Sequence, residues 1–204
     1  MGALIDRIFN RPFGYIFCFF AQEKNTERSW LVLATSAISI KKGDYVVHAA
    51  YGVGKVIGME EKELDGRARK FYKVKTNGLI YWVPVRKIRK EKIRKISSPH
   101  TFLNMLSLIR KKPKPIAKQY RTRKKKVSTA LTESSLIART RMIRDLYGRQ
   151  MRKDLNFNDQ MALEKLKMHF VDEWVVASGL KKDEAIMKLE KALDTSAAKI
   201  VQGS

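Results

Sequence analysis

From residue 44 onward the chain runs in short stretches of alternating apolar and polar positions. "DYVVHA" (44–49) is rich in β formers, and "KVIGMEEKEL" (55–64) carries the pattern to Asp65-Gly66, a strong hairpin dipeptide. "RKFYKVKT" (69–76) alternates with period two and ends at Asn77-Gly78, a second hairpin signal, before "LIYWVPV" (79–85). Strands joined by turns this tight form an antiparallel meander, because parallel strands need long crossovers. Over the short span 39–96, closing such a meander into a small barrel is the economical way to remove exposed strand edges.

Beyond this span the period becomes helical. "SPHTFLNMLSLIRKK" (98–112) opens with Ser98 as cap and Pro99 in the first turn. Pro113 and Pro115 stop that helix and set the restart of another after them. "TESSLIARTRMIRDLYGRQMRK" (132–153) places Leu136, Ile137, Met142, Ile143, Leu146 and Tyr147 on one stripe. "NDQMALEKLKMHFVDEWVVASG" (158–179) begins with an asparagine cap and ends at Gly179, a helix-terminating glycine, and "KKDEAIMKLEKAL" (181–193) adds an amphipathic helix. The expected class is α+β: a small β-barrel over 39–96 followed by a helical bundle over 97–200. Residues 1–38 show no domain pattern and read as an extension of unassigned role, whose start at Met1 is itself open. Its apolar run "YIFCFFA" (15–21) follows Arg7, Arg11, Pro12 and Gly14 but gives way at once to "QEKNTER", which argues against a secretory signal. No segment has the length of a transmembrane helix, so no membrane span is expected.

Charge changes this picture most. The 204 residues carry a formal net charge of +23. Residues 86–126 hold 17 basic residues against a single acid, Glu91, and so contribute +16 of it. A chain this basic meets a polyanion, nucleic acid first among the candidates, with anionic lipid and acidic protein surfaces open on charge alone. Cys18 is the one cysteine, which excludes an internal disulfide framework and fits a reducing, cytoplasmic setting. His48, His100 and His169 lack ligand spacing, so neither a zinc site nor another cofactor is expected.

"YGVGKVIG" (51–58) invites comparison with phosphate-binding loops. Gly54-Lys55 supplies one end of a P-loop, but position 49 is Ala49 and the magnesium-holding Ser or Thr is Val56. The dinucleotide pattern fails at Ile57, with Gly58 one residue late, and no helix follows to face a pyrophosphate. The glycines read instead as a bend that needs positive φ and close strand packing. Glu60-Glu61 lie on a strand, where neighbours point to opposite faces. Asp172-Glu173 sit on an amphipathic helix, where a solvated face is the usual meaning, and Ser97-Ser98 lack a nucleophile-elbow setting. No catalytic group emerges.

The segment "KKGDYVVHAAYGVGKVIGMEEKELDGRARKFY" with the later "VPV" resembles the CarD/CdnL family of bacterial RNA polymerase-binding transcription regulators. The matching positions are Gly43, Asp44, Val46, Val47, Gly52, Gly54, Glu60, Gly66, Phe71, Tyr72, Val83 and Pro84, and the resemblance resumes at "MIRDLYGRQMRKDLNFNDQMALEKLK" (142–167). It implies a Tudor-like (SH3-like) β-barrel that docks on the lobe of the polymerase β subunit, a module shared with transcription-repair coupling factor, followed by a helical DNA-binding domain. Docking by strand addition suits "GLIYWVPV", where main-chain hydrogen bonds give affinity and alternate side chains give selectivity. The resemblance assigns polymerase contact to Lys62, Trp82, Val83 and Pro84; placement of Trp82 in the barrel core is the alternative. It sets Tyr120 where relatives carry a tryptophan wedged into the minor groove at the upstream edge of the transcription bubble. Lys118, Arg121, Arg123, Lys124, Lys125 and Lys126 would then contact phosphates. For Tyr120, packing at a helix start is the alternative. The family is usually monomeric.

The leading expectation is therefore a non-enzymatic regulator, working at the nucleoid, that binds RNA polymerase and promoter DNA and stabilises the open complex. A general basic nucleic-acid binder, nucleoid- or ribosome-associated, is the alternative.

Overall fold

The computed structural model describes residues 40–64, 66–85, 93–153 and 155–201. The expectations for the extension 1–38, Cys18 included, and for the basic residues 86–92 lie outside these. Five strands come first: β1 (Tyr45–His48), β2 (Gly52–Leu64), β3 (Arg67–Lys75), β4 (Ile80–Pro84) and β5 (Ile93–Lys95). Five helices follow: α1 (Pro99–Ile109), α2 (Tyr120–Thr132), α3 (Leu136–Gln150), α4 (Phe157–Ser178) and α5 (Lys182–Val201).

The strands form one antiparallel sheet in the order β4-β3-β2-β1-β5. Both hairpins fall where the turn dipeptides place them. Leu64 faces Arg67 across a turn whose Gly66 has φ 68°. Thr76 N donates to Leu79 O at 2.9 Å, closing the loop that carries Asn77-Gly78. The expected closed barrel is corrected. β4 and β5 do not pair among the described residues, so the sheet is open, with β4 at one edge and β5 at the other. Its core is small: Ile40, Val46, Val56, Val74, Val83 and Ile93 pack on one face, backed by Tyr72 and Tyr81.

The helices bury a larger core. On α1, Phe102, Met105, Leu106 and Ile109 recur at helical spacing, all turned inward. The Phe102 ring stacks on Trp174 of α4 at 6.0 Å and meets Phe170 edge-on at 5.4 Å. Burying each such aromatic stabilises the fold by about 1.5–3 kcal/mol. The Ser98 cap accepts from Thr101 N, and Gly179 ends α4 with φ 71° in the left-handed region, both as the sequence predicts.

Three helical details differ from expectation. The predicted helix over 132–153 is shorter than expected, because Thr132 ends α2 and α3 begins only after a Ser135 cap and runs to Gln150. Within the predicted stripe, Ile137 is exposed, while Arg139, Thr140 and Arg144 are buried beside the apolar residues. The asparagine cap of α4 is Asn156, two residues earlier than Asn158, and its side chain accepts from Asp159 N at 2.8 Å.

Candidate functional site

The glycine cluster resolves first, because it positions everything else. Gly52 has φ 75° at the start of β2, and a Cβ there would lie 3.3 Å from the His169 ring of α4. Gly54 lets β2 lie against β3: a Cβ would come within 2.6 Å of Val74 Cγ1. Gly58 faces open space, next to the register shift between Val56 and Gly58. Two of the three glycines are thus demanded by close approach, to α4 and to β3, and no phosphate-binding helix follows them.

The sheet and the helices are joined by charged groups, among them Glu173, which was expected on a solvated face and is instead 1% exposed because Arg94 and Ser97 N reach it. Arg94 of β5 makes a two-pronged ion pair with Glu173 of α4, Nη1 to Oε1 at 2.5 Å and Nη2 to Oε2 at 2.6 Å. Ser97 N also donates to Glu173 Oε1 at 3.1 Å, and Arg94 Nε donates to Ser134 O at 2.5 Å. Arg139 of α3 donates to Ala49 O at 2.6 Å, gripping the β1–β2 turn. Burial pushes the Arg139 guanidinium below its ordinary pKa, with the charge of Arg94 adding to it and Glu173 opposing. His169 is held neutral beside them, its pKa lowered to about 4 by burial first and then by Arg139 and Lys165. A polar residue gives no periodic signal of burial, so only a buried position inside an apolar stripe could have flagged Arg139.

Of the residues assigned to polymerase contact, Trp82 and Lys62 meet on one exposed face. Trp82 is 39% exposed, so it is not part of the sheet core. Its Nε1 donates to Glu60 Oε2 at 2.7 Å, and Lys62 Nζ sits 3.4 Å from the ring centroid. Lys73 Nζ pairs with Glu60 Oε1 at 2.6 Å, and this bond first, then that from Trp82, holds the Glu60 carboxyl below the usual carboxylate range. The indole is therefore fixed in orientation by cross-strand partners on β2 and β3 while half of it faces out. Val83 differs: its side chain is buried in the sheet core, and alternation from the Thr76 N–Leu79 O bond turns its main chain towards Tyr72 of β3, so the main-chain groups at the open edge are those of Ile80, Trp82 and Pro84. Pro84 is half-buried at the end of β4. Leu79 and Ile80, not assigned beforehand, are exposed at the start of the same edge at 42% and 43%.

The residues assigned to DNA divide in two. Tyr120 opens α2 and is 41% exposed, its hydroxyl accepting from Asn158 Nδ2 of α4 at 3.2 Å. Lys118, Arg121 and Lys124 are exposed around this end of the helix. Lys125 and Lys126 are also exposed but line a separate groove with Thr129, Ala138 and Met142, towards α3. Arg123 is a correction. It is 5% exposed, its Nε pairs with the buried Asp159 at 2.6 Å, and its Nη1 donates to Ala117 O and Lys118 O. A guanidinium with these partners clamps α2 to α4 and is withdrawn from the surface, unlike its exposed neighbours Arg121 and Lys124.

Among the described residues no three His, Cys, Asp or Glu side chains gather as metal ligands. None of the described helices is long and apolar enough to cross a membrane. Residues 40–97 match the CarD-like/TRCF RID domain, and residues 104–190 match the CarD C-terminal domain. The chain belongs to the CarD/CdnL family. CarD-family proteins are transcription regulators that interact with RNA polymerase and are not enzymes, and the open sheet and the helical bundle here are the two modules of that family. Comparison with individual curated proteins gave no match. The CarD match places the Trp82 face in the RID module and the Tyr120 end of α2 in the C-terminal module.

Proposed function

We propose that the chain docks on the RNA polymerase β subunit through the β4 edge and grips promoter DNA through the N-terminal end of α2, stabilising the open complex. One observation carries this reading. Two outward-facing aromatic residues, Trp82 and Tyr120, stand on two modules that Arg94–Glu173 and Arg139–Ala49 hold to each other. At the edge, β4 is paired only with β3 among the described residues, which leaves main-chain groups for a partner strand. Lys62, the half-exposed Trp82 ring and half-buried Pro84 supply selectivity there, while Val83, buried and turned towards β3, supports them from behind. At the other site, Tyr120 lies against an unstacked base step in the minor groove, and Lys118, Arg121 and Lys124 contact the adjoining phosphates, with Lys125 and Lys126 further along the helix. Sequence selectivity is low, since phosphate contact and DNA shape dominate. A chain that binds the open complex about tenfold better than the closed one shifts that equilibrium tenfold.

Two measurements test it. Capture by an isolated polymerase β lobe is expected for the wild type and reduced at least tenfold for Trp82→Ala. Open-complex lifetime is expected to lengthen with wild type and not with Tyr120→Ala. No capture by the lobe, with DNA binding intact, leaves a general basic nucleic-acid binder instead.

A further inference from the structure

Phe157 is 76% exposed, the highest exposure of any large apolar residue among the described ones. It is the first residue of α4 and precedes Asn158, whose side chain donates to the Tyr120 hydroxyl at 3.2 Å. Two residues on, Asp159 pairs with Arg123 of α2 at 2.6 Å inside the protein. These two contacts set the N-terminal ends of α2 and α4 side by side, so Phe157 and Tyr120 stand on one tip of the bundle. The tip is basic. Lys118, Arg121 and Lys124 are exposed on the α2 side, and Arg152 and Lys153 are exposed just before α4. Among the described residues the nearby acid, Asp159, is buried and neutralised by Arg123, while Asp154 lies outside them.

We propose that Phe157 is a second inserting side chain, which stacks on the exposed base face of a melted promoter step beside Tyr120. This rests on the function proposed above and extends it. The two aromatics are not equivalent. Tyr120 has its hydroxyl tied to Asn158 and the Arg123 guanidinium 5.7 Å from its ring, so it is held in place and partly covered. The Phe157 ring has no polar atom to satisfy and most of its surface in water. An uncovered phenyl ring on a surface with this charge fits an occupant that is anionic outside and aromatic within, which is the chemistry of unstacked nucleic acid. Phe157 also heads a line of exposed apolar residues on α4 with Met161 and Met168. Further along that line the neighbours change: Met168 shares its groove with Glu164 and Glu190 as well as lysines, so the cationic setting belongs to the Phe157 end.

The test uses the full chain, purified polymerase and a promoter carrying 2-aminopurine at the upstream edge of the melted region. Wild type is expected to raise 2-aminopurine fluorescence and to lengthen the open-complex lifetime. Phe157→Ala should lose at least half of the fluorescence rise and shorten the lifetime about tenfold, with Phe157→Leu in between and polymerase capture unchanged. As the side chain is exposed, both variants should fold, which circular dichroism checks. If Phe157→Ala matches wild type while Tyr120→Ala loses the signal, this proposal fails and the functional reading stands. If wild type is captured by polymerase yet gives no signal, both the wedge and this proposal fail. An equal loss in Met168→Ala also overturns it, because the α4 line would then act as one face.

Discussion

Replacing Glu173 by alanine tests how much the Arg94–Glu173 pair contributes to holding the sheet on the bundle. Glu173 is 1% exposed and accepts from both terminal nitrogens of Arg94 and from Ser97 N. Its loss strands the Arg94 guanidinium, and leaves Arg139, which Glu173 also favours in its charged form, beside an unneutralised cation. Breaking a buried pair by removing one partner costs about 3–5 kcal/mol. Arg94 keeps a side-chain exposure of 20% and its bond to Ser134 O, which places the expected loss at the low end, about 3 kcal/mol. With a urea m-value of about 2 kcal/mol/M, the midpoint should fall by about 1.5 M. The double variant Arg94→Met/Glu173→Met should recover most of that loss, since an apolar pair of similar volume often matches a buried ion pair. A midpoint shift under about 0.5 M, the scale of an exposed pair, would refute the reasoning. So would a double variant no more stable than Glu173→Ala, because the cost would then not be an uncompensated charge.

Three further outcomes follow from the geometry. Gly52→Ala and Gly54→Ala should each cost about 1–3 kcal/mol in thermal unfolding, the first through positive φ against His169 and the second through contact with Val74, whereas Gly58→Ala should be near neutral. Arg123→Ala should lower stability by at least about 2 kcal/mol by leaving Asp159 buried and unpaired, while Arg121→Ala should leave stability alone and reduce the salt slope of DNA binding by about 1. His169 should make stability fall with acid: its folded pKa of about 4 lies below the ordinary 6.5, so between these values the unfolded chain takes up the proton more readily, and stability present above pH 6.5 is lost as pH falls towards 4. His169→Gln should flatten that slope in urea titrations across the same range.

Local signals carried the elements well. Asp65-Gly66 and Asn77-Gly78 fixed both hairpins, and Ser98-Pro99 and Gly179 fixed two helix ends, because each acts through backbone geometry within a few residues. That the sheet stays open was not legible, because edge pairing is a long-range event: β5 pairs with β1 and not with β4, and nothing in "IRK" says so. Arg94, Arg123 and Arg139 escaped for a related reason. In a run so basic, a guanidinium that will be buried looks like its solvated neighbours until the distant carboxylate or carbonyl that receives it is in view. The sequence leaves Trp82 open between contact and core, with Val83 assigned to contact beside it. Period-two alternation along "LIYWVPV" sets the two on opposite faces, and the burial of Val83 in the structure decides which of them faces out.

The buried pairs also sharpen what the net charge of +23 means. Asp145, Asp159 and Glu173 each neutralise an arginine with little or no exposure, so these acids offset little of the positive field outside. That field is well suited to phosphates but reads no sequence. Non-specific affinities of about 10⁻⁴ to 10⁻⁶ M leave a free chain largely unbound at low concentration. A second attachment changes the arithmetic. Tethering by the β4 edge would present the α2 tip to nearby DNA at an effective concentration of order mM, some tenfold or more above the weakest of those constants. The tip would then be occupied wherever polymerase holds melted DNA within reach, without base-specific contacts. Reach depends on the two modules keeping a fixed span, and that is what Arg94–Glu173 and Arg139–Ala49 supply. On the proposed reading, promoter selectivity comes from the polymerase, and the chain adds lifetime to a complex that already exists.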